Sequence, residues 1–357
     1  MKKMKNKLLY AVLFIALVAC NNTRKKAAKI STEKVEKVTD LTPLQKQAKA
    51  LFGQLPTTAA TAEYQLSSEK IALGKKLYFD NRLSKDNTIS CNSCHNLNNG
   101  SGVDNLSFSP GNNKGSFGGR NAPTTLNAAL QIAQFWDGRA KDVEEQAGGP
   151  ILNSVEMAMP SKTAVIKRLS AIKEYNHLFK TAFPNAKTAL TYRNIEVAIG
   201  AFERTLLTPS KLDDFISGNK TALNDKEKKG LATFISIGCV SCHMGNDIGG
   251  NSYQKFGVFS DYWKLTKSKK IDKGRFDVTK NESDKYVFKV PSLRNVAKTY
   301  PYFHDGSVKK LEDAVKIMAK LQLNKELTPK ETANIVAFLN TLSGELSPQI
   351  LNKNKKQ

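Results

Sequence analysis

Apolar residues recur with a helical period in several separate stretches of this chain, and nowhere do they alternate in a way that makes a convincing strand. Residues 66–79 (LSSEKIALGKKLYF) predict a helix with Ser67 or Ser68 as N-cap, and residues 225–235 (DKEKKGLATFI) predict another. Helical patterns also cover 162–183, 191–206 and 308–321. A last helix opens on Thr328-Pro329-Lys330-Glu331, a capping box with Pro at N1, and runs to a C′ glycine at Gly344. Residues 96–120 are rich in Asn, Gly and Ser and almost free of apolar periodicity, so they form a long loop of the kind that carries function. The expected fold is mainly α.

Two of these helices belong to an internal repeat. Each carries a glycine with an aromatic residue four positions on, Gly74 to Tyr78 and Gly230 to Phe234, so one face combines a close-approach site with a ring. Each leads to a Cys-x-x-Cys-His pentapeptide, Cys91 to His95 and, 148 residues later, Cys239 to His243. The aromatic-to-cysteine spacing is 13 residues in the first copy and 5 in the second, which implies an eight-residue loop insertion in the first. The body therefore divides into two similar domains, 61–206 and 207–345, packed with their interface between whatever the two pentapeptides bind.

Composition narrows the class. The 357 residues are 40% hydrophobic, enough for packed cores in roughly two domains. No apolar run approaches the roughly 20 residues of a membrane-spanning helix. Residues 1–20 carry Lys2, Lys3, Lys5 and Lys7, then a 12-residue apolar run from Leu8 to Ala19, then Cys20. This is the layout of an export signal. Leu17-Val18-Ala19-Cys20 resembles a bacterial lipobox, in which Cys20 is acylated and anchors the mature chain to a membrane; the competing reading is an uncleaved, buried cysteine. The net charge of +23 sits largely at the ends, leaving +11 for residues 51–350. Residues 21–60 read as a Lys-rich tether and 346–357 as a basic tail. No zinc-finger spacing, RNA-binding aromatic pattern or Arg-rich recognition helix accompanies the charge, so nucleic acid is not an expected partner.

Four of the five cysteines and two of the four histidines fall in the two pentapeptides. Cys-x-x-Cys-His puts two thiols one helical turn apart, where they add to the vinyl groups of a haem, and sets the next imidazole beneath the iron. Structural zinc needs four ligands per site, a redox CxxC needs a βαβ context, and disulfides leave both adjacent histidines unexplained. Cys91, Cys94, Cys239 and Cys242 are therefore expected to bind two covalent haem c groups, with His95 and His243 as axial ligands. Met318 is the candidate sixth ligand of the second haem, because it follows His243 by 75 residues and precedes the terminal helix. The competing reading makes Leu311, Val315 and Met318 a plain core stripe. The first haem has no comparable candidate: His177 reads as a surface residue, and His304 is placed to hydrogen-bond a haem propionate or to ligate. An iron with an open face binds small oxygen species.

At this point the sequence resembles the bacterial dihaem cytochrome c peroxidase family, which includes the MauG-type enzymes. The likeness covers about 64–345, through CNSCHNL, GGRNAPTTLNAA, AQFWDGRAKDVEEQA, GP followed by VEMAM, GCVSCH, VPSLRNV, TYPYFHDGSV and AVKIMAKLQL. The resemblance implies a peroxidatic N-terminal haem, and a C-terminal His243/Met318 haem that receives electrons from a small cytochrome c or cupredoxin. It further implies that Trp136 conducts between the haems, that Gln146 and Glu156 form the distal pocket, and that the backbone carbonyls of Thr299 and Pro301 join Asn121 in a calcium site. A homodimer and a periplasmic location follow from the same likeness. Cleaving the O–O bond of hydrogen peroxide needs a base for one oxygen and an acid for the other, and the single carboxyl of Glu156 can serve as both.

One departure matters. Many members carry a capping histidine in the loop after the first pentapeptide, where this chain has Asn113, and no histidine lies between 96 and 176. The expectation is an enzyme open in its fully oxidised state that needs no reductive activation, with Lys114 as the one conceivable substitute cap. Two alternatives stay open: MauG-like oxidation of a protein substrate, a branch in which Tyr replaces the methionine and against which Met318 argues, and a non-catalytic dihaem electron carrier.

Overall fold

The computed structural model describes residues 41–351; the expected export segment with Cys20, residues 21–40 of the expected tether and residues 352–357 of the expected tail lie outside the described residues. The main helices are α1 (Pro43–Phe52), α2 (Ser68–Tyr78), α3 (Val143–Leu152), α4 (Lys162–Ser170), α5 (Lys173–Ala182), α6 (Tyr192–Glu203), α7 (Lys211–Ile216), α8 (Asp225–Ile237), α9 (Leu311–Leu323) and α10 (Pro329–Asn340). Two three-residue strands, β1 (Tyr253–Lys255) and β2 (Val287–Lys289), pair antiparallel with Gln254 opposite Phe288. No described helix is long and apolar enough to cross a membrane.

Of the two N-cap candidates for α2, Ser67 takes the role, its hydroxyl accepting the Lys70 N–H at 3.2 Å. The expected capping box at Thr328 and Glu331 opens α10. Three expectations need correction. The 162–183 pattern breaks into α4 and α5, because a turn at Ala171–Ile172 lets Val165 and Leu169 enter the same core as Tyr175 and Phe179. Gly344 is not the C′ residue of α10, which ends four residues earlier. It is glycine because a Cβ there would lie 2.3 Å from the Pro209 carbonyl oxygen and 2.4 Å from that of Thr208. Finally, residues 43–52 are no tether: α1 buries Ala48 and Phe52 in the C-terminal core, with the Phe52 ring stacked 6.3 Å from Phe338.

The repeat becomes a shared helix crossing. A Cβ at Gly74 in α2 would lie 1.7 Å from the Ala198 carbonyl oxygen of α6; one at Gly230 in α8 would lie 2.1 Å from that of Asn334 in α10. One turn further, Tyr78 meets Phe202 edge-on at 5.3 Å and Phe234 meets Phe338 at 5.1 Å. Each crossing anchors its own core, one around Leu73, Leu77, Ile195 and Phe202 and one around Leu231, Phe234, Ile335 and Phe338. The chain ends cross over between them: α1 joins the second core, while Leu346, Ile350 and Leu351 pack on the first.

The extra residues between Tyr78 and Cys91 form a fixed loop. Asp80 takes the Arg82 guanidinium and the Tyr175 hydroxyl, and Arg168 donates to the carbonyls of Ser84 at 2.6 Å and of Arg82 and Lys85 at 3.0 Å. In the second half Gly238 caps α8 in a left-handed conformation, φ 102°, and Cys239 follows at once.

Gly230→Ala should therefore push α8 and α10 apart and cost about 2 kcal/mol or more. Gly119→Ala, where a Cβ meets nothing within 4 Å, should stay within about 0.5 kcal/mol of the parent. Thermal unfolding of the haem-loaded protein monitored by far-UV circular dichroism checks both; equal midpoints for the two variants would contradict the crossing as described.

Candidate haem sites and peroxide pocket

Cys91–Cys94 forms a single helical turn, opened by the Ser90 N–H donating to the Ser93 hydroxyl at 3.0 Å and closed by the His95 N–H donating to the Cys91 carbonyl at 2.9 Å. That turn sets both thiols on one side with the imidazole after them. His95 Nδ1 lies 3.0 Å from the Pro123 carbonyl, so Nδ1 carries the hydrogen and Nε2 keeps its lone pair. The Tyr78 hydroxyl donates to the His95 carbonyl at 2.7 Å, tying α2 to the turn. The second motif repeats the arrangement, with the His243 N–H on the Cys239 carbonyl at 3.1 Å and Nδ1 3.3 Å from the Ile248 carbonyl. Burial lowers the pKa of both imidazoles, that of His243 to about 4, so both are neutral and able to ligate.

None of the four cysteines is in a disulfide. Among the described residues no group of three or more His, Cys, Asp or Glu is placed to hold a metal ion, which removes the zinc reading. The donor sets fit haem c instead, and unpartnered buried polar atoms beside each motif strengthen the fit. His304 is 2% exposed and its Nε2 has no partner, although it lines the cavity of the second motif. Beside the first motif, Asp104 Oδ2 is likewise buried without a partner, and Asp104 acts electrostatically on His95 and Cys94. A propionate would accept from the His304 ring, and a bound molecule that donates a hydrogen bond would answer Asp104 Oδ2.

A mostly apolar cavity opens above the second motif. Cys239, Cys242 and His243 line it together with Met318, Trp136, His304, Asn121, Thr299 and Pro301. Leu311 and Val315 line it too, so the stripe containing Met318 faces the cavity rather than a closed core. The other methionines of the body lie elsewhere: Met157 and Met159 are in the first core and Met244 is 41% exposed. Trp136 donates its indole N–H to the Asn121 carbonyl at 2.8 Å, and its ring lies edge-on to His304 at 6.4 Å. The Asn121 amide N–H2 donates to the Leu106 carbonyl at 2.8 Å. His177 is exposed, as its place off the apolar face of α5 predicts.

Glu156 and Gln146 do not line that cavity. Both are half-buried, Gln146 on α3 and Glu156 in the turn after it, and Glu156 acts electrostatically on Cys94 of the first motif. Burial raises the Glu156 pKa, while the Arg139 charge and a hydrogen bond from Asn153 pull it back. The turn is held on two sides. The Asn112 N–H donates to the Glu156 carbonyl at 2.6 Å, the Asn113 side chain donates to the Ser154 carbonyl at 3.1 Å, and the Lys85 N–H donates to the Met157 carbonyl at 2.8 Å. A Cβ at Gly111 would lie 2.0 Å from the Val155 carbonyl oxygen, so the long loop needs glycine there to reach the turn. Asn113 and Lys114 are both exposed.

Arg139 is the residue that sequence reading missed. Its guanidinium lies 3.5 Å from the Phe135 ring centroid and its Nη1 donates to both Asp137 carboxylate oxygens at 3.0 Å. Asp137 also receives Arg120 at 2.5 Å, and Arg120 clamps Asp272 through Nε and Nη2 at 2.7 and 2.9 Å. The Asp137–Arg139 spacing is the only sequence trace of this network.

Comparison with known proteins agrees with this geometry. The family profile for di-haem cytochrome c peroxidase matches residues 68–221, and that for cytochrome c matches 227–343. A cytochrome c551 peroxidase of Nitrosomonas europaea is 49% identical over 81% of this chain and 84% of its own length. The cytochrome c551 peroxidase of Pseudomonas aeruginosa is 47% identical over 85% of this chain and 87% of its own. Among solved structures, a MauG-like protein associated with microbial copper homeostasis superposes with a TM-score of 0.70 at 27% identity, covering 82% of this chain and 94% of the other. Two cytochrome c-like halves with one covalent haem c each, at these levels of identity and coverage, make the chain a member of the bacterial dihaem cytochrome c peroxidase family.

Proposed function

We propose that this protein is an exported peroxidase that reduces hydrogen peroxide to water beside His95, with electrons that a small cytochrome c or cupredoxin delivers beside His243 and Met318. The carrying observation is the half-buried carboxyl of Glu156, in a turn that Asn112 and Lys85 hold and electrostatically coupled to Cys94 and Arg139. When bound, each haem supplies an iron that changes oxidation state by one electron, and the one held by His95 supplies the Lewis acid for peroxide.

The protein's own groups do the rest. The Pro123 and Ile248 carbonyls hold the Nδ1 side of each imidazole, so that Nε2 of His95 and of His243 would be free to hold a bound haem. Glu156 takes a proton from one peroxide oxygen and returns it to the other, and the Gln146 amide orients the pair. Burial pushes the Glu156 carboxyl toward its neutral form, and Arg139 keeps enough of it ionised to act as a base. Met318, which lines the cavity with His243, would hold the second haem through its thioether and so raise the potential of that site for accepting electrons. Trp136 carries them onward. His304 would donate its Nε2–H to a haem propionate. Asn121 Oδ1 with the Thr299 and Pro301 carbonyls offers calcium a neutral oxygen set. Acylated Cys20 anchors the chain to a membrane, and the body pairs as a homodimer.

With Asn113 bonded to Ser154 in place of a capping imidazole, peroxide has free access in the fully oxidised state. Initial rates of donor oxidation should then be equal for fully oxidised enzyme and for enzyme given one electron beforehand. A lag confined to the oxidised sample would contradict this.

Glu156→Gln should lower kcat/KM for peroxide by about 10²- to 10⁴-fold while both haems stay attached. Arg139→Gln removes the positive charge that favours the ionised carboxyl, so the Glu156 pKa rises and the acidic limb of the rate profile moves to higher pH. A pH–rate profile with that limb unmoved would remove Arg139 from the mechanism. Met318→Leu should lower one of the two reduction potentials and leave the other in place, read by spectroelectrochemical titration.

A further inference from the structure

Between β1 and β2 and the cavity, a cluster of rings leads from Trp136 and His304 to side chains that the peroxidase mechanism does not use. Its members are Trp136, His304, Tyr262, Trp263 and Tyr286, interleaved with Phe256, Phe288 and Phe303. The redox-active rings run in one direction. From Trp136 the His304 ring is 6.4 Å away, and from His304 the Tyr262 ring is 5.2 Å away. From Tyr262 the Trp263 ring is 5.1 Å and the Tyr286 ring 6.3 Å away, and Trp263 and Tyr286 are 5.0 Å apart. Tyr262 is fully buried, whereas Trp263 and Tyr286 are partly exposed. Both tryptophans of the chain therefore stand at the two ends of one continuous ring path.

We propose that this path is an escape route that carries oxidising equivalents from Trp136 through Tyr262 to Trp263 and Tyr286 at the surface whenever peroxide arrives and donor is short. It rests on Trp136 being the conduit between the two haem sites. Peroxide takes two electrons and two protons to give water, and without a donor the protein must furnish the electrons. An electron lost from Trp136 is replaced from Trp263, with Tyr262 as the relay. Trp136 keeps its proton, because its indole N–H is bonded to the Asn121 carbonyl. Tyr262 holds its hydroxyl proton in a bond to the Asp272 carbonyl at 3.1 Å and receives the Asp272 N–H at 2.7 Å. Trp263 and Tyr286 each give up one electron and release one proton to water, which supplies the two electrons and two protons that peroxide takes, and a one-electron reductant in solution, or failing that dioxygen, then reacts with the radicals left there. The Phe256 ring, stacked 4.9 Å from Tyr262, and Phe288, stacked 4.5 Å from His304, resist oxidation and keep water from the buried part of the route. Damage is thus moved away from the haem sites to residues whose loss the reaction tolerates.

The test is to add successive equivalents of hydrogen peroxide to the haem-loaded, fully oxidised protein without donor and to map oxygen addition by peptide mass spectrometry. Trp263 and Tyr286 should be modified several-fold faster than Tyr300, although Tyr300 is 50% exposed. Tyr262→Phe should lower modification of Trp263 several-fold and leave donor-supported turnover unchanged. Modification of Tyr300 as fast as Trp263 in the parent protein would overturn the proposal, and so would an unchanged Trp263 yield in Tyr262→Phe. Trp136→Phe separates the two readings: unimpaired donor turnover in that variant would remove Trp136 as conduit between the haem sites, whereas the lesion order and the Tyr262 variant judge the escape route itself.

Discussion

At Gly74 and again at Gly230 a backbone carbonyl of a later helix occupies the space where any other residue would carry its Cβ. This contact brings the helix before each Cys-x-x-Cys-His motif against its partner closely enough for Tyr78 to meet Phe202 and Phe234 to meet Phe338. Each aromatic pair then roofs its core, and the following turn presents two thiols and an imidazole. The halves differ in what they add. Tyr78 has a hydroxyl that reaches the His95 carbonyl, Phe234 has none, and only the first half has an anchored insertion between aromatic ring and thiol.

Those additions give two different environments to one scaffold used twice. In the first half the insertion and the Asn-rich loop both bind the turn that carries Glu156, so a half-buried carboxyl is held beside one haem site. Holding it there costs desolvation, which Arg139 offsets; Arg139 is itself kept in place by Phe135 and by an Asp137 shared with Arg120. In the second half the corresponding space is apolar and lined by α9 with Met318. The Arg120–Asp137–Asp272 ion pairs and the Trp136–His304 contact lie where these two environments meet.

Much of this was legible in the sequence because it rests on local spacing. Cys-x-x-Cys-His is a one-turn geometry, the Gly-to-aromatic interval is another, and Thr328 with Glu331 forms the capping box it spells. Features set by distant partners left no such trace. Lysines masked the Leu44, Ala48, Leu51 and Phe52 stripe of α1, which is apolar only toward a core built by residues some 170 to 290 positions later. Gly344 looked like a helix stop and is instead a close approach to Thr208 and Pro209. Arg139 lies within a quoted stretch, but spacing alone gave it no role, because that role depends on Glu156 in a turn that only the fold brings near.

The division of labour proposed for the two haem sites is tested most directly by EPR of the purified, fully oxidised protein before and after hydrogen peroxide. The account predicts one high-spin signal from the site of His95 beside one low-spin signal from that of His243 and Met318, with the high-spin signal alone lost on addition. Two low-spin signals that peroxide leaves unchanged would contradict an open first pocket and, with it, the account.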